Sequence, residues 1–367
     1  MCPSPTSCTV ALAAVHVWSG DTRWLTGAMT TTDRIRVLDG HNDLPWRHRD
    51  VAGYDLDACD IAQPQPHLHT DLPRMREGGL AAQLWSVWVP CSMQGEAAVA
   101  ATHEQIDFVE SLCRRYEEMV PARTAADVHA AWADGRHAAL IGMEGGHSIN
   151  DSLDHLAEFA DRGARYMTLT HNDNTGWADS ATDERVHGGL TDFGRQVVAR
   201  MNDLGVVVDL SHVSAETMHD ALDATRVPVM FSHSGARAVC DHPRNVPDDV
   251  LERVPGNGGI VMANVVPKFV NQARADAVLG RTDVVPDPVA TIEHVVAHFE
   301  HLREVVGIEH VGIGADFDGV DETPVGLEDV ASYPRLLAVL GERGWSRADL
   351  EALAHGNVLR VLEATQV

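Results

Sequence analysis

His41 and Asp43 stand two residues apart in VLDGHNDLPW, just after a run of Val and Leu. An imidazole and a carboxylate so placed are potential metal ligands. Other short apolar runs end in the same kinds of group: Glu144 in HAALIGMEGG, His171 in RYMTLTH, His212 in VVVDLSH, His233 in VPVMFSHS, and Asp316 then Asp318 in HVGIGADFDG. Imidazole and carboxylate without thiolate favour zinc or a similar divalent ion in a hydrolytic site. The set is too large for one tetrahedral ion with an open position. Two ions about 3.5–4 Å apart, sharing a carboxylate, would use it all. A shared ligand must offer two oxygens, which makes Glu144 the natural bridge. A modified lysine after the fourth run cannot serve, because the only lysine, Lys268, follows the seventh.

Neighbouring polar residues carry plainer readings. His147 belongs with the glycine turn of GMEGGH. His67, His69 and Asp71 of HLHTD follow no apolar run and read as structural or surface residues. Asp318 fits a supporting group behind the ligands, a cap or a solvated side chain.

Such ligands need a frame that brings distant segments to one place. From residue 34 onward, short apolar or β-branched runs alternate with longer stretches of helical spacing. IRVLDG, LAAQLWSVWV and GGIVMANVV join the five runs above to make eight. Amphipathic helices are expected at 104–119, 152–163, 192–205, 214–226 and 288–307, three of them ending near Gly. Near-continuous apolar strands separated by helices indicate a parallel sheet covered on both faces. The expected fold is α/β, a (β/α)8 TIM barrel with extended loops and the site at the C-terminal ends of its strands. An open doubly wound sheet with a second domain is the alternative, weakened by the absence of GxGxxG after the first strand.

Residues 33–367 read as a single catalytic domain and 1–32 as a leader of doubtful authenticity. TVALAAVHVW resembles a signal-peptide core, but no positive charge precedes it and no A-x-A site follows; Met29 is the alternative start. A net charge of −26, from 28 basic and 54 acidic residues, argues against nucleic-acid binding and suits small-molecule chemistry. Six scattered cysteines without a CxxC pair read as reduced thiols.

With these residues collected, the chain resembles the membrane (renal) dipeptidases, zinc dipeptidases of the amidohydrolase-type barrels. The resemblance runs from about residue 33 to the C-terminus. It is carried by DGHNDLPW, GGLAAQLWSVWVPC, LIGMEGGHSI, YMTLTHNDNTGWAD, GVVVDLSHVS, FSHSGA, RNVPDDVL and GADFDGV. It implies two zinc ions, one held by His41 and Asp43 and the other by His212 and His233, bridged by Glu144 and a water or hydroxide. It also implies that His171 contacts the substrate carbonyl, Arg244 holds the substrate's free carboxylate and Asp316 shuttles the proton. The implied substrates are dipeptides with a free C-terminus, L,L or L,D. Hydrolysis of N-acyl amino acids, β-lactams or lactones at the same metals, or a non-catalytic barrel, are the competing readings.

Two departures bear on location. Asp173 stands where mammalian members carry a cysteine, and no anchor tail follows VLRVLEATQV. The expectation is a cytoplasmic chain without a membrane anchor, with a homodimer suggested by family likeness.

Overall fold

The apolar runs fold as strands whose ends meet at one rim. In this computed structural model, residues 34–282 and 289–366 are described. The expected leader, with Cys2 and Cys8, lies outside the described residues. Cys59, Cys91, Cys113 and Cys240 are free thiols. The strands are β1 (Val37–Asn42), β2 (Leu80–Trp88), β3 (Met119–Pro121), β4 (His137–Glu144), β5 (Ala164–Thr168), β6 (Val207–Asp209), β7 (Met230–Phe231), β8 (Ile260–Ala263) and β9 (Val311–Ile313). Eight of them follow one another around the sheet in the order β1-β2-β4-β5-β6-β7-β8-β9, every pair parallel.

The ring closes at its rim rather than along whole strands. Asn42 bridges Phe317, and Asp43 N donates to the Phe317 carbonyl at 2.9 Å. Below this, the buried Asp39 carboxylate accepts from His41 N at 2.8 Å and Ala315 N at 3.1 Å, and from the Tyr333 hydroxyl. One side chain thus ties β1, the end of β9 and the helix Tyr333–Glu342 together. The architecture is a (β/α)8 barrel.

Two details differ from the sequence reading. β3 is an extra strand, paired with the start of β4 at His137–Ala139 on the edge where β5 joins only from Ile141. The helix expected at 104–119 runs instead from Glu96 to Arg115. Its alanine-rich start, AAVAA, has the strongest helix propensity and extends it backward, while the chain beyond Tyr116 leaves to form β3. The helices Leu153–Asp161, Asp192–Leu204, Ala215–Ala224 and Ile292–Val306 fall where expected. Among the described residues, no helix is long and apolar enough to cross a membrane.

Strand alternation sorts the core into two parts. Leu38, Leu84, Leu140, Tyr166, Val207, Met230, Ile260 and Met262 form one cluster with the helices Ala125–Ala133 and Asn357–Thr365. The opposite alternation, including Val37, Trp85, Ile141, Met167, Val208 and Val261, packs against the surrounding helices. Register sets the rim: Trp88 lies opposite Glu144, Glu144 opposite Thr168, and Thr168 opposite Asp209. Side chains just beyond this level project into a common bowl.

Candidate metal centre and substrate cavity

Glu144, the last residue of β4, is the hub of that bowl. Its two oxygens face different partners. Oε2 lies 3.4 Å from His41 Nε2, while Oε1 lies 2.8 Å from His212 Nε2 and 3.4 Å from His233 Nε2. His41 Nε2 is also 3.4 Å from Asp43 Oδ2. Three overlapping groups, His41/Glu144/His233, Glu144/His171/His212 and His41/Asp43/Asp316, bring their ligand atoms within 4.8 Å of one another. The cluster is buried: His41 is fully so, and Asp43, Glu144, His212 and His233 expose 6% or less.

The residues fit metal ions by a specific test. His41 Nε2 and Asp43 Oδ1 are buried polar atoms without a hydrogen-bond partner. Orphans of this kind are costly. A cation among the surrounding oxygens would satisfy them, with the imidazoles neutral and the carboxylates ionised as ligands must be. The electrostatics point the same way for most of the set. Burial lowers the pKa of His233 to about 3 and pushes His212 well below its usual range. Burial opposes ionisation of Glu144, yet His41, His171 and the bonds from His212 and His233 outweigh it and hold the carboxylate well below its usual range. His41 runs against this trend. Burial lowers it, but Tyr166, Glu144 and Asp43 together raise it well above its usual value.

The far ring nitrogens are fixed from below. His41 Nδ1 is 2.7 Å from the Tyr166 hydroxyl inside the barrel. Gly142 makes room for that ring, since a Cβ there would lie 2.1 Å from it. His233 Nδ1 is 2.8 Å from Ser232 Oγ, which donates to Asp209 Oδ2 at 2.6 Å. Outer partners of this kind set the tautomer and ring orientation of a metal-binding histidine.

Backbone strain concentrates at the same rim. His212 and Asp316 have φ of +68° and Asp318 +65°. Each left-handed non-glycine residue costs on the order of 1–3 kcal/mol and needs surrounding structure to hold it. Gly319 then lets the chain pass over the site, where a Cβ would lie 2.2 Å from Asp43 Oδ2 and 2.3 Å from Asp316 Oδ1. Burial and the nearby Asp43 raise the pKa of Asp316 well above the usual carboxylate range.

A cavity of about 630 Å³ opens above the cluster, lined by Asp43, Glu144, His171, His212, Arg244 and Asp316 together with Trp46, Trp88 and Phe269. His171 lies three residues beyond β5, as His212 does beyond β6 and Asp316 beyond β9, with Nε2 3.7 Å from Glu144 Oε1. Burial lowers its pKa to about 4, so it is a neutral imidazole near pH 7. Arg244 is 1% exposed; among the described residues its Nε and Nη1 have no partner, and its guanidinium makes one hydrogen bond, a long 3.5 Å contact from Nη2 to the His233 carbonyl. Burial depresses its pKa to about 10, which leaves it charged near neutrality.

All eight residues singled out in the sequence therefore lie at one cavity or directly beneath it. Sequence reasoning missed Tyr166, Ser232 and Asp209. Ser232 is adjacent to His233 and Asp209 sits three residues before His212, but the side-chain directions that link them are tertiary. The HLHTD stretch supports the site from outside. Asp71 caps the helix Leu72–Gly78, and His69 exchanges two hydrogen bonds with Asp318, of 2.7 and 3.0 Å.

A (β/α)8 barrel that gathers four imidazoles and three carboxylates at the C-terminal ends of its strands defines the metal-ligating class of that fold. The chain belongs to the membrane dipeptidase family, peptidase family M19, which it matches over residues 27–367. It is 40% identical to Dipeptidase 3 of Rattus norvegicus over 338 residues, 90% of this chain and 65% of that protein. This chain thus spans a little under two thirds of that relative's length. Dipeptidase aclJ of Aspergillus oryzae is 40% identical over 340 residues, 90% of this chain and 78% of that protein. The crystal structure of a metallopeptidase from Rhodobacter sphaeroides, liganded with a phosphinate mimic of the dipeptide L-Ala-D-Ala, is similar with a TM-score of 0.79 and 28% identity, covering 91% of this chain and 100% of that one.

Proposed function

We propose that this chain is a two-zinc dipeptidase that hydrolyses dipeptides carrying a free C-terminal carboxylate, with an L- or a D-residue at that end. The observation that carries the reading is Arg244. A buried guanidinium with two unsatisfied N–H groups, opening on the cavity that holds the Glu144 cluster, is built to receive an anion. A substrate carboxylate bound there fixes the distance from the C-terminus to the scissile bond, which selects dipeptides over proteins. The dipeptidase names of the rat and Aspergillus relatives support the activity, and the L-Ala-D-Ala mimic in the Rhodobacter protein supports acceptance of a D-residue.

His41, Asp43 and Glu144 would hold one ion, and Glu144, His212 and His233 the other. An ion held there would supply an acidified water and a Lewis acid for the scissile carbonyl. Asp316, which lines the cavity beside Asp43, takes the attacking water's proton and returns it to the leaving amine as general acid. His171, neutral and facing the cavity, donates from Nε2 to the oxygen that gains charge. Trp88 packs edge-on against the His171 ring at 5.3 Å and holds its orientation.

Amine release from L,L and L,D dipeptides, each with a free or an amidated C-terminus, tests the reading. Turnover of the free acids alone is expected. Equal turnover of the amides removes Arg244 as clamp, and cleavage of N-acyl amino acids or lactones in place of dipeptides replaces the proposed substrate.

A further inference from the structure

The cavity carries cations that the mechanism does not use. Arg47, Arg244, Lys268 and Arg274 all line it. Arg47 pairs with Asp321 at 3.0 Å, and Arg274 pairs with Glu322. Lys268 is the only lysine in a chain of net charge −26. It is exposed and makes no ion pair or hydrogen bond among the described residues. It stands on the short helix Pro267–Val270 that follows β8.

Its place is tied to Arg244. Lys268 Nζ lies 5.1 Å from the centroid of the Phe269 ring and Arg244 Cζ lies 5.2 Å from the same centroid. The two charged ends are therefore within roughly twice that distance of each other, close enough to act on one small ligand. The segments that carry them are fastened together, because Asn245, next to Arg244, donates from Nδ2 to the Phe269 carbonyl at 2.8 Å.

We infer that Lys268 is a specificity-determining residue that selects dipeptides with an acidic C-terminal residue, aspartate or glutamate. This rests on the proposed dipeptidase reading, in which Arg244 takes the α-carboxylate; Lys268 then takes the side-chain carboxylate. The two carboxylate carbons of an extended glutamate are about 5 Å apart, and a charge-assisted hydrogen bond adds about 2.8 Å at each end. The shared ring limits the separation of the two cations to roughly 10 Å, so a glutamate in a bent conformation, or the shorter aspartate, reaches both. A neutral side chain of the same shape gains nothing from Lys268.

The test compares kcat/KM for Ala-Glu and its neutral isostere Ala-Gln, in both configurations of the C-terminal residue, with Ala-Ala measured alongside. The zinc-loaded wild type is compared with Lys268→Met and Lys268→Glu. For an exposed ion pair, the expected Glu-over-Gln preference in the wild type is about two- to fivefold. It should fall to about one in Lys268→Met and reverse in Lys268→Glu. Because the ratio is taken within each variant, a loss of folded protein does not change it. A ratio that is the same in all three proteins, or a wild type without preference, overturns the role of Lys268 while Ala-Ala turnover upholds the dipeptidase reading. Absence of turnover on every dipeptide overturns both.

Discussion

Ser232 Oγ lies 2.8 Å from His233 Nδ1. The same hydroxyl donates to Asp209, which also accepts from the backbone of Ser211 at 3.1 Å and Ser232 at 2.8 Å. A buried, fully engaged carboxylate thus reaches one metal-facing imidazole through a single hydroxyl, keeping the proton on Nδ1 and the lone pair on Nε2. Ser232→Ala is expected to weaken zinc at the His212/His233 half of the site by about 10–100-fold. Zinc content measured against a graded chelator checks this: loss of one ion before the other is expected, and an unchanged profile removes the relay.

Tyr166→Phe acts on the other half. The ring remains, packed where Gly142 leaves space, but His41 Nδ1 loses its partner. Stability should fall by about 1 kcal/mol, as for one buried hydrogen bond, and zinc should be lost first from the His41/Asp43 half. Combining Ser232→Ala with Tyr166→Phe should weaken both ions. If the two single variants give the same affinity profile, the halves are not supported separately.

Which parts of this were legible in the sequence follows from physical range. Strand ends were readable because apolar runs stop at His41, Glu144 and Asp316, and chemistry in a barrel collects at strand ends. The helix Asp192–Leu204 was readable because its spacing and the Gly205 that ends it are local signals. β3 was not readable: its three residues carry no periodicity and exist as a strand only because the start of β4 has a free edge. The left-handed backbone of His212 and Asp316 was equally hidden, since histidine and aspartate have no intrinsic need for it. The unpaired state of Arg244 depends on what the rest of the fold fails to place beside it.

Asp316→Asn should separate chemistry from metal binding. The amide keeps the shape and cannot shuttle a proton, so kcat is expected to fall by about 10²–10⁴-fold with the zinc content retained. Full activity would remove Asp316 from the proton path. Glu144→Ala gives the opposite pattern, losing at least one ion because its two oxygens serve both halves.

Arg244→Met sets function against stability. A buried guanidinium with unsatisfied N–H groups is a cost to the free protein. Methionine fills the volume beside Phe269 without that cost. The variant should melt at a higher temperature than the wild type, while KM for dipeptides rises by about 10–100-fold. A lower melting temperature would mean that the arginine is satisfied in the free protein and is not held open for a ligand.

His137 makes the pH dependence of folding testable away from the metal cluster. It is buried at the start of β4, with Nδ1 3.2 Å from the Leu80 carbonyl and Nε2 without a partner. Burial lowers its pKa to about 4, from an ordinary 6.5. Between those values the unfolded chain binds a proton that the folded chain does not, so unfolding is favoured as the pH falls. The stabilising contribution is complete above pH 6.5 and is lost as the pH drops toward 4, a change on the order of 3 kcal/mol for this one group. Asp39 acts in the opposite sense, because burial raises its folded pKa to about 6 and its protonation favours the fold below that value. A comparison with His137→Gln, which can keep a donor for Leu80 and cannot titrate, isolates the histidine. Urea midpoints of the metal-free proteins at pH 7 and at pH 5 should diverge, with the wild type losing more stability on acidification than the variant. Parallel losses would mean that the His137 imidazole is protonated in the fold and that its unpartnered Nε2 has found water.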